Sequence, residues 1–263
     1  MLESLVGRLA RAEHLWLFLD YDGTLADLAP TPEHVHPDPE LVELLTRLAA
    51  RTRIRLAVIS GRRLSHVEAL VPVPGVLLAG TYGVEMRMPT GERVNRVAYE
   101  DVRPALASIK PRWSQLIDGR EGFFLEDKGW SLALHARFAD DDEAENVLAD
   151  ARRVAIRAAS DLFRVLGGHK FLEVGPTLAH KGKTVVYLLD AHPWPGAQLL
   201  YLGDDDKDEE AFGVIQARAG IAIRVAPEPR ETKADYCLES PRAVRRWLET
   251  LLARLSRETY SSP

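Results

Sequence analysis

Two aspartates one residue apart close an apolar run in the stretch Trp16-Leu17-Phe18-Leu19-Asp20-Tyr21-Asp22-Gly23-Thr24-Leu25. The pattern predicts a buried strand that delivers Asp20 and Asp22 to its carboxyl end, where open α/β sheets bind their ligands. Carboxylates this close repel one another, so the pair makes sense beside a cation or in proton transfer. The plain alternative is a solvated turn with incidental acids. A second apolar run, Leu199 to Gly203, ends in Asp204-Asp205-Asp206-Lys207-Asp208-Glu209-Glu210. Taken alone, those acids also suit a helix start, whose dipole favours negative charge. If the two strands lie side by side, their carboxylates converge at a density that requires a cation. An all-oxygen site of carboxylates and water is what Mg2+ takes.

With such an ion screening the charge, Asp20 can attack phosphorus and form an aspartyl-phosphate, while Asp22 protonates the departing alcohol and then activates water. Ser60, the amides after Asp22, and Lys181 would hold the phosphoryl oxygens, since phosphoryl transfer depends mostly on positioning and charge neutralisation. Ser60 begins Ser60-Gly61-Arg62 at the end of the run Ile54 to Ile59, and a helix starts near Leu64. Strand, hydroxyl, glycine and helix start together make an anion site of free N–H groups. Alone, Ser60 equally suits a helix cap, and a lysine opening a helix is commonly solvent-exposed.

Several elements must position these groups. Residues 1 to 15 read as a short amphipathic helix. The prolines at 30, 32, 37 and 39 predict an extended loop over Asp27 to Pro39, whose His34 and His36 carry no assigned role. Asp38-Pro39-Glu40 supplies a cap, a proline at the first helical position and an early acid, followed by Leu41, Leu44, Leu45 and Leu48 at helical spacing. Val76 to Ala79 is a third strand, and Val84 to Met88 with Arg93 to Val97 a hairpin. From Tyr99 the texture becomes helix (Val102 to Ile117), two strands (Phe123 to Glu126, Ser131 to Arg137), helix (Glu143 to Ser160) and two strands (Leu162 to Leu166, Lys170 to Val174). That is a small α+β unit. At Lys181 a helix runs through Leu189. The strand at Leu199, another at Gly220 to Val225 and a closing helix at Arg242 to Leu255 follow, with a frayed tail from Glu258. The expected class is α/β: a doubly wound, mostly parallel sheet core over residues 1–98 and 178–263, with an inserted α+β cap over 99–177.

Composition narrows the functions. With 263 residues, 46% hydrophobic and 28% charged, the chain fits a soluble globular protein with a substantial core. A net charge of -5, with the basic residues scattered, gives no nucleic-acid footprint. Cys237 is the single cysteine, so no intramolecular disulfide forms, and no cysteine–histidine spacing suggests zinc. The amphipathic start has no signal-peptide core, and no run approaches the roughly 18 apolar residues of a membrane span. A cytoplasmic protein without membrane or nucleic-acid partners is expected.

In order along the chain, Asp20-Tyr-Asp-Gly-Thr, Ser60-Gly-Arg, Lys181-Gly-Lys and Gly203-Asp-Asp-Asp-Lys-Asp-Glu-Glu resemble the four motifs of haloacid-dehalogenase-superfamily phosphatases, and the insertion resembles that superfamily's C2B-type cap. Within it the chain is similar to trehalose-6-phosphate phosphatases, through Phe18-Leu-Asp-Tyr-Asp-Gly-Thr-Leu, Glu126-Asp-Lys-Gly-Trp-Ser-Leu-Ala-Leu-His135, Lys170-Phe-Leu-Glu173-Val and Tyr201-Leu-Gly-Asp-Asp-Asp-Lys-Asp-Glu. The resemblance spans about Leu15 to Leu255.

It implies Asp20 as nucleophile, Asp22 as general acid and base, and Ser60 and Lys181 as phosphate binders. It also implies Asp20, the Asp22 carbonyl and Asp204 on Mg2+, with Asp205 and Asp208 in support. Glu126, Lys128, Lys170 and Glu173 fall where that family's cap reads sugar hydroxyls, and Arg62 and Glu85 contribute from the core. Lys170 and Glu173 are an odd number of residues apart, so one regular strand aims them at opposite faces unless it is bulged or ends between them. The chain departs from the family at Tyr82, commonly histidine, and at Gly175, commonly arginine. The expected substrate is trehalose 6-phosphate, with sucrose phosphate or glucosyl- or mannosyl-3-phosphoglycerate as alternatives. A monomer functionally coupled to a trehalose-phosphate synthase is expected. A receiver-like signalling domain also clusters acids and a lysine on such a sheet, but needs neither Asp22 nor an 80-residue insertion of about this size.

Overall fold

The strand that carries the aspartates, β1 (His14–Leu19), is buried from its second residue onward. It lies at the centre of its sheet, parallel to β2 (Ile54–Ile59) on one side and to β10 (Ala197–Gly203) on the other. Strands covered on both faces read as continuous apolar runs, which is why all three are legible as such. In register, Leu19 pairs with Leu202 and with Val58. The chain therefore leaves all three strands at one level, and the residues that follow meet at one sheet edge.

The structure, a computed structural model, describes residues 2–28, 36–158, 160–228 and 230–258. The proline-rich loop falls largely on 29–35 and the tail on 259–263, outside the described residues. Two units divide the chain, one of residues 1–94 with 180–263 and one of 95–179.

In the first unit, β3 (Leu77–Gly80) extends the sheet in parallel beyond β2, and β4 (Glu85–Arg87) then runs antiparallel to β3. The expected hairpin thus joins the main sheet, as β4 and β5 (Arg93–Asn95). On the other side β11 (Ile221–Val225) and β12 (Tyr236–Leu238) follow β10 in parallel. The three-residue β12 is too short to announce itself in the sequence. Leu15, Leu17 and Leu19 of β1 pack with α1 (Leu2–Ala10), α2 (Pro39–Ala49), α3 (Leu64–Leu70) and α8 (Pro241–Glu258). Trp16 and Phe18 face the opposite side, with α6 (Lys181–Ala191) and α7 (Glu209–Ala217). Helices on both faces of a mostly parallel sheet are the doubly wound arrangement. Asp38 caps α2 as expected, accepting from the N–H groups of Glu40 and Leu41.

The second unit holds α4 (Tyr99–Ile117), β6 (Phe124–Asp127), β7 (Leu132–His135), α5 (Asp141–Ala158), β8 (Phe163–Gly168) and β9 (Phe171–Pro176), its sheet ordered β6-β7-β9-β8. Asp127 bonds Arg103 of α4, which marks the helix-covered face of this sheet. Its register partners Leu132 and Val174 share that face and are fully buried. No described helix is long and apolar enough to cross a membrane.

Trp113 anchors this unit: it is fully buried and its Nε1 donates to the Ala151 carbonyl at 2.9 Å. Trp113→Ala should cost about 3–5 kcal/mol in urea unfolding followed by circular dichroism, the range for emptying a buried aromatic site. A loss under about 1 kcal/mol would show that α4 does not depend on that packing.

Candidate active site

Lys181, buried at the first turn of α6, places its Nζ 2.8 Å from Asp20 Oδ1 and 2.6 Å from Asp208 Oδ1. Asp208 is itself a hub. Its Oδ1 also accepts from the Tyr201 hydroxyl at 2.7 Å, and its Oδ2 from the amides of Asp204 and Asp205 at 3.2 and 3.0 Å. The Thr24 hydroxyl lies 3.3 Å from both Asp20 Oδ2 and Asp204 Oδ1, joining residues 180 positions apart. Gly23, at φ 77°, makes this approach possible: a Cβ there would stand 2.2 Å from Asp204 Oδ2. Gly203 is constrained in the same way by the Asp208 carboxylate.

One carboxylate oxygen each from Asp20, Asp204 and Asp208 lies within 4.8 Å of the others. Burial raises the Asp20 carboxyl well above its ordinary value, with Asp208 and Asp204 adding to the rise and Lys181 opposing it. Burial, reinforced by Asp208 against the pull of Lys181, pushes Asp204 up to about 6. Oxygen-only donors that resist carrying their full negative charge fit a divalent cation. Asp208 is the most heavily used of the three, with two donors on each oxygen, while Asp20 takes Lys181 and Thr24 and Asp204 takes Thr24. Lys181 stays charged: burial works against it, but Asp20 and Asp208 outweigh that and raise its pKa.

Asp22 stands apart. Its carboxylate accepts from Arg62 Nε at 2.6 Å and Nη2 at 2.7 Å, a bidentate pair, and is not in the acid group. Asp205 is also outside that group. Its carboxylate takes the Lys207 ammonium at 2.8 Å, and although burial opposes it, Lys207 holds the group below its ordinary pKa. Ser60 is buried and its hydroxyl accepts from the Arg62 amide at 3.1 Å. The cap position of α3 is Arg63, so the cap reading of Ser60 is corrected.

The anion site expected at the start of α3 is also changed, because the protein supplies its own anion there. Glu85 Oε1 accepts from the Leu64 amide at 2.8 Å and from the Thr81 hydroxyl at 3.1 Å. Glu85 thereby braces the turn after β3, where Thr81 and Tyr82 both adopt positive φ, 47° and 56°. The Tyr82 ring lies against Gly61, where a Cβ would meet it at 2.8 Å.

In the second unit, Glu126, Ala133 and Glu173 are register partners and share the sheet face opposite Asp127. Glu173 is buried, accepting from Lys128 at 3.1 Å and from the Ser131 hydroxyl at 2.5 Å. Glu126 meets His135 at 3.1 Å, and that ring stacks on Phe124 at 4.1 Å. Lys170 is placed differently: it sits in the β8–β9 turn at φ 51°, and its ammonium is held by Asp141 at 2.5 Å and the Ala139 carbonyl at 2.6 Å. The strand begins after Lys170, whose ammonium turns to the α5 side, whereas Glu173 lies on the opposite sheet face, so the structure does not bring these two side chains together. Lys170 also borders a cavity of about 610 Å³ between α5 and that turn. Gly175 packs on Ser131, and its register partner Arg164 presents a guanidinium on the same face. Thr24, Tyr201, Ser131 and His135 lie inside the motifs quoted above, but their spacing alone assigns them no role.

A family model described as trehalose-phosphatase matches residues 18–242. A probable trehalose-phosphate phosphatase of Sinorhizobium fredii is 32% identical over 233 residues, covering 87% of this chain and 84% of that protein. The chain spans 62 to 65% of the length of the mycobacterial trehalose-phosphate phosphatases that it also matches. Among solved structures, the C-terminal domain of trehalose-6-phosphate phosphatase from Candida albicans superposes with a TM-score of 0.84 at 23% identity, covering 96% of each chain. A haloacid dehalogenase-like hydrolase from Bacteroides thetaiotaomicron gives 0.61 at 16%, covering 90% of this chain and 98% of that one, and these two likenesses show the fold. With the family model extending over most of its length, and a relative 32% identical over 87% of it, the chain belongs to the trehalose-phosphatase family.

Proposed function

We propose that the chain hydrolyses trehalose 6-phosphate to trehalose and inorganic phosphate, using Mg2+. Family membership together with the clustered Asp20–Asp204–Asp208 carboxylates carries this reading. Asp20 and Asp204 would hold the ion, with the Asp22 carbonyl, and Asp205 and Asp208 in support. When bound, the ion neutralises charge between Asp20 and a phosphate dianion.

The chain's own groups do the rest. Lys181 fixes one Asp20 oxygen, and the other, against which the Thr24 hydroxyl lies at 3.3 Å, would attack phosphorus. Asp20 forms the new P–O bond as the bond to the sugar oxygen breaks, giving an aspartyl-phosphate. Asp22 gives its proton to that sugar oxygen, then accepts one from the water that releases phosphate. Both Asp22 oxygens are engaged by Arg62, so proton transfer requires one of those bonds to be exchanged for the leaving-group oxygen. Arg62 therefore orients the acid in this reading, a role beyond sugar contact. Ser60, the amides after Asp22 and Lys181 would hold the phosphoryl oxygens. The inserted unit reads the sugar hydroxyls with Glu126, Lys128, Lys170 and Glu173, since a site built of paired polar groups rejects analogues that lack a hydroxyl. A cytoplasmic monomer, functionally coupled to a trehalose-phosphate synthase, completes the reading.

A phosphate-release assay across phosphorylated disaccharides and glucosyl- or mannosyl-3-phosphoglycerate tests the substrate. A preference of at least about tenfold in kcat/KM for trehalose 6-phosphate is expected, and a smaller one would reassign the sugar. Asp20→Asn should lower turnover by at least about a thousandfold while the circular dichroism spectrum is kept; activity near wild type would remove the nucleophile.

The raised Asp204 fixes a pH dependence. Between its ordinary 3.8 and about 6, the folded chain holds a proton that the unfolded chain releases. Without Mg2+, stability should accordingly fall as pH rises through that window, and Mg2+ should stabilise more at pH 7 than at pH 5. Equal Mg2+ stabilisation at the two pH values in thermal unfolding would count against Asp204 as a ligand.

A further inference from the structure

We propose that Arg224 is a positioning residue for Asp204, acting on the backbone of the loop that follows β10. The inference rests on the Mg2+ reading above and goes beyond it by assigning a residue outside the four motifs.

Arg224 interrupts the otherwise apolar β11 and is 2% exposed. A guanidinium at that depth is costly unless its donors are used. Its Nη2 donates to the Asp204 carbonyl at 2.9 Å and its Nη1 to Glu209 Oε1 at 2.9 Å. The buried Nε finds no partner among the described residues, so the side chain is held at a desolvation cost that packing alone does not account for. Arg230 donates to the same carbonyl from the solvent side at 3.1 Å.

The peptide groups on both sides of Asp204 are thereby fixed. The Asp204 and Asp205 amides are both bound by Asp208 Oδ2. The carbonyl between them takes two guanidinium donors. With φ and ψ of Asp204 set from outside, only side-chain torsions remain to aim its carboxylate at Asp20. Glu209 locks the clamp: it also accepts from the Thr232 hydroxyl and the Lys233 amide, tying the segment after β11 to the start of α7. Outer groups that orient a ligand in this way commonly change metal affinity without touching the metal.

The test is Arg224→Lys, which keeps the charge but cannot reach both acceptors with one ammonium. Mg2+ is titrated into the substrate-free protein by calorimetry, with melting temperature and steady-state kinetics measured alongside. The expected result is Mg2+ affinity about tenfold weaker or more, with KM for trehalose 6-phosphate unchanged at saturating Mg2+ and kcat lowered. A lower melting temperature with Mg2+ affinity within about twofold of wild type would overturn the proposal, leaving Arg224 a purely structural residue. Should Arg224→Lys not fold, the half-exposed Arg230→Ala decides, through the second donor to the same carbonyl. Several-fold weaker Mg2+ binding supports the clamp, and unchanged binding removes it. Wild-type protein that binds no Mg2+ would remove the metal reading itself, and this inference with it.

Discussion

The buried ammonium of Lys181 between Asp20 and Asp208 is the interaction on which the rest of the first unit depends. The pair Asp20 and Asp208 comes from chain segments on opposite sides of the insertion, at the tips of two adjacent parallel strands. Two buried carboxylates and a third partly buried beside them would, without a cation, hold protons instead of charge. One lysine offsets part of that charge, and in the proposed reading a divalent ion offsets the remainder. It also fixes where each acid points, because a buried ammonium uses its few donors at short range.

That concentration of charge dictates much of the surrounding sequence. The backbone must approach carboxylates more closely than a Cβ permits, so Gly23 and Gly203 stand where Asp204 and Asp208 reach in. Asp208 spends both oxygens on protein donors, which makes it a support for the loop it belongs to. Tyr201 lies one layer below, its hydroxyl bonded to Asp208; burial first, then that neighbouring charge, raises its pKa and keeps it a neutral donor.

How much of this was legible depended on how local the signal was. The strands β1, β2 and β10 and the capped helix α2 announce themselves through apolar runs, acids and a proline at the first helical position, and all are present. The convergence of the two acid clusters could be inferred because parallel strands place their carboxyl ends at one edge. What resisted reading was the pairing of polar groups with one another. Nothing in the residues around Glu85 says that its carboxylate occupies the amide of Leu64, or that Lys170 turns toward Asp141 while Glu173 turns toward Lys128. Those choices follow from strand register and turn conformation, which sequence spacing leaves open. Arg224 is hard to read from sequence for a related reason. A single arginine in an apolar strand looks like an edge residue until the neighbouring strand's loop supplies its acceptors.

The two acids of the first motif are separated by one residue but not by one environment. Asp20, itself buried, faces Lys181 and the other carboxylates, where a negative charge is held and aimed. Asp22, past the strand's end, is held by the fork of Arg62 at a more open position. A carboxylate fixed by a lysine in a buried site suits attack on phosphorus. One whose partner can exchange a bond suits carrying a proton between a leaving oxygen and water. Environments that push paired carboxylates toward different tasks are how one short motif divides nucleophile from acid. In the proposed mechanism that division is made by two cations from different elements: Lys181 at the start of α6 and Arg62 in the turn after β2.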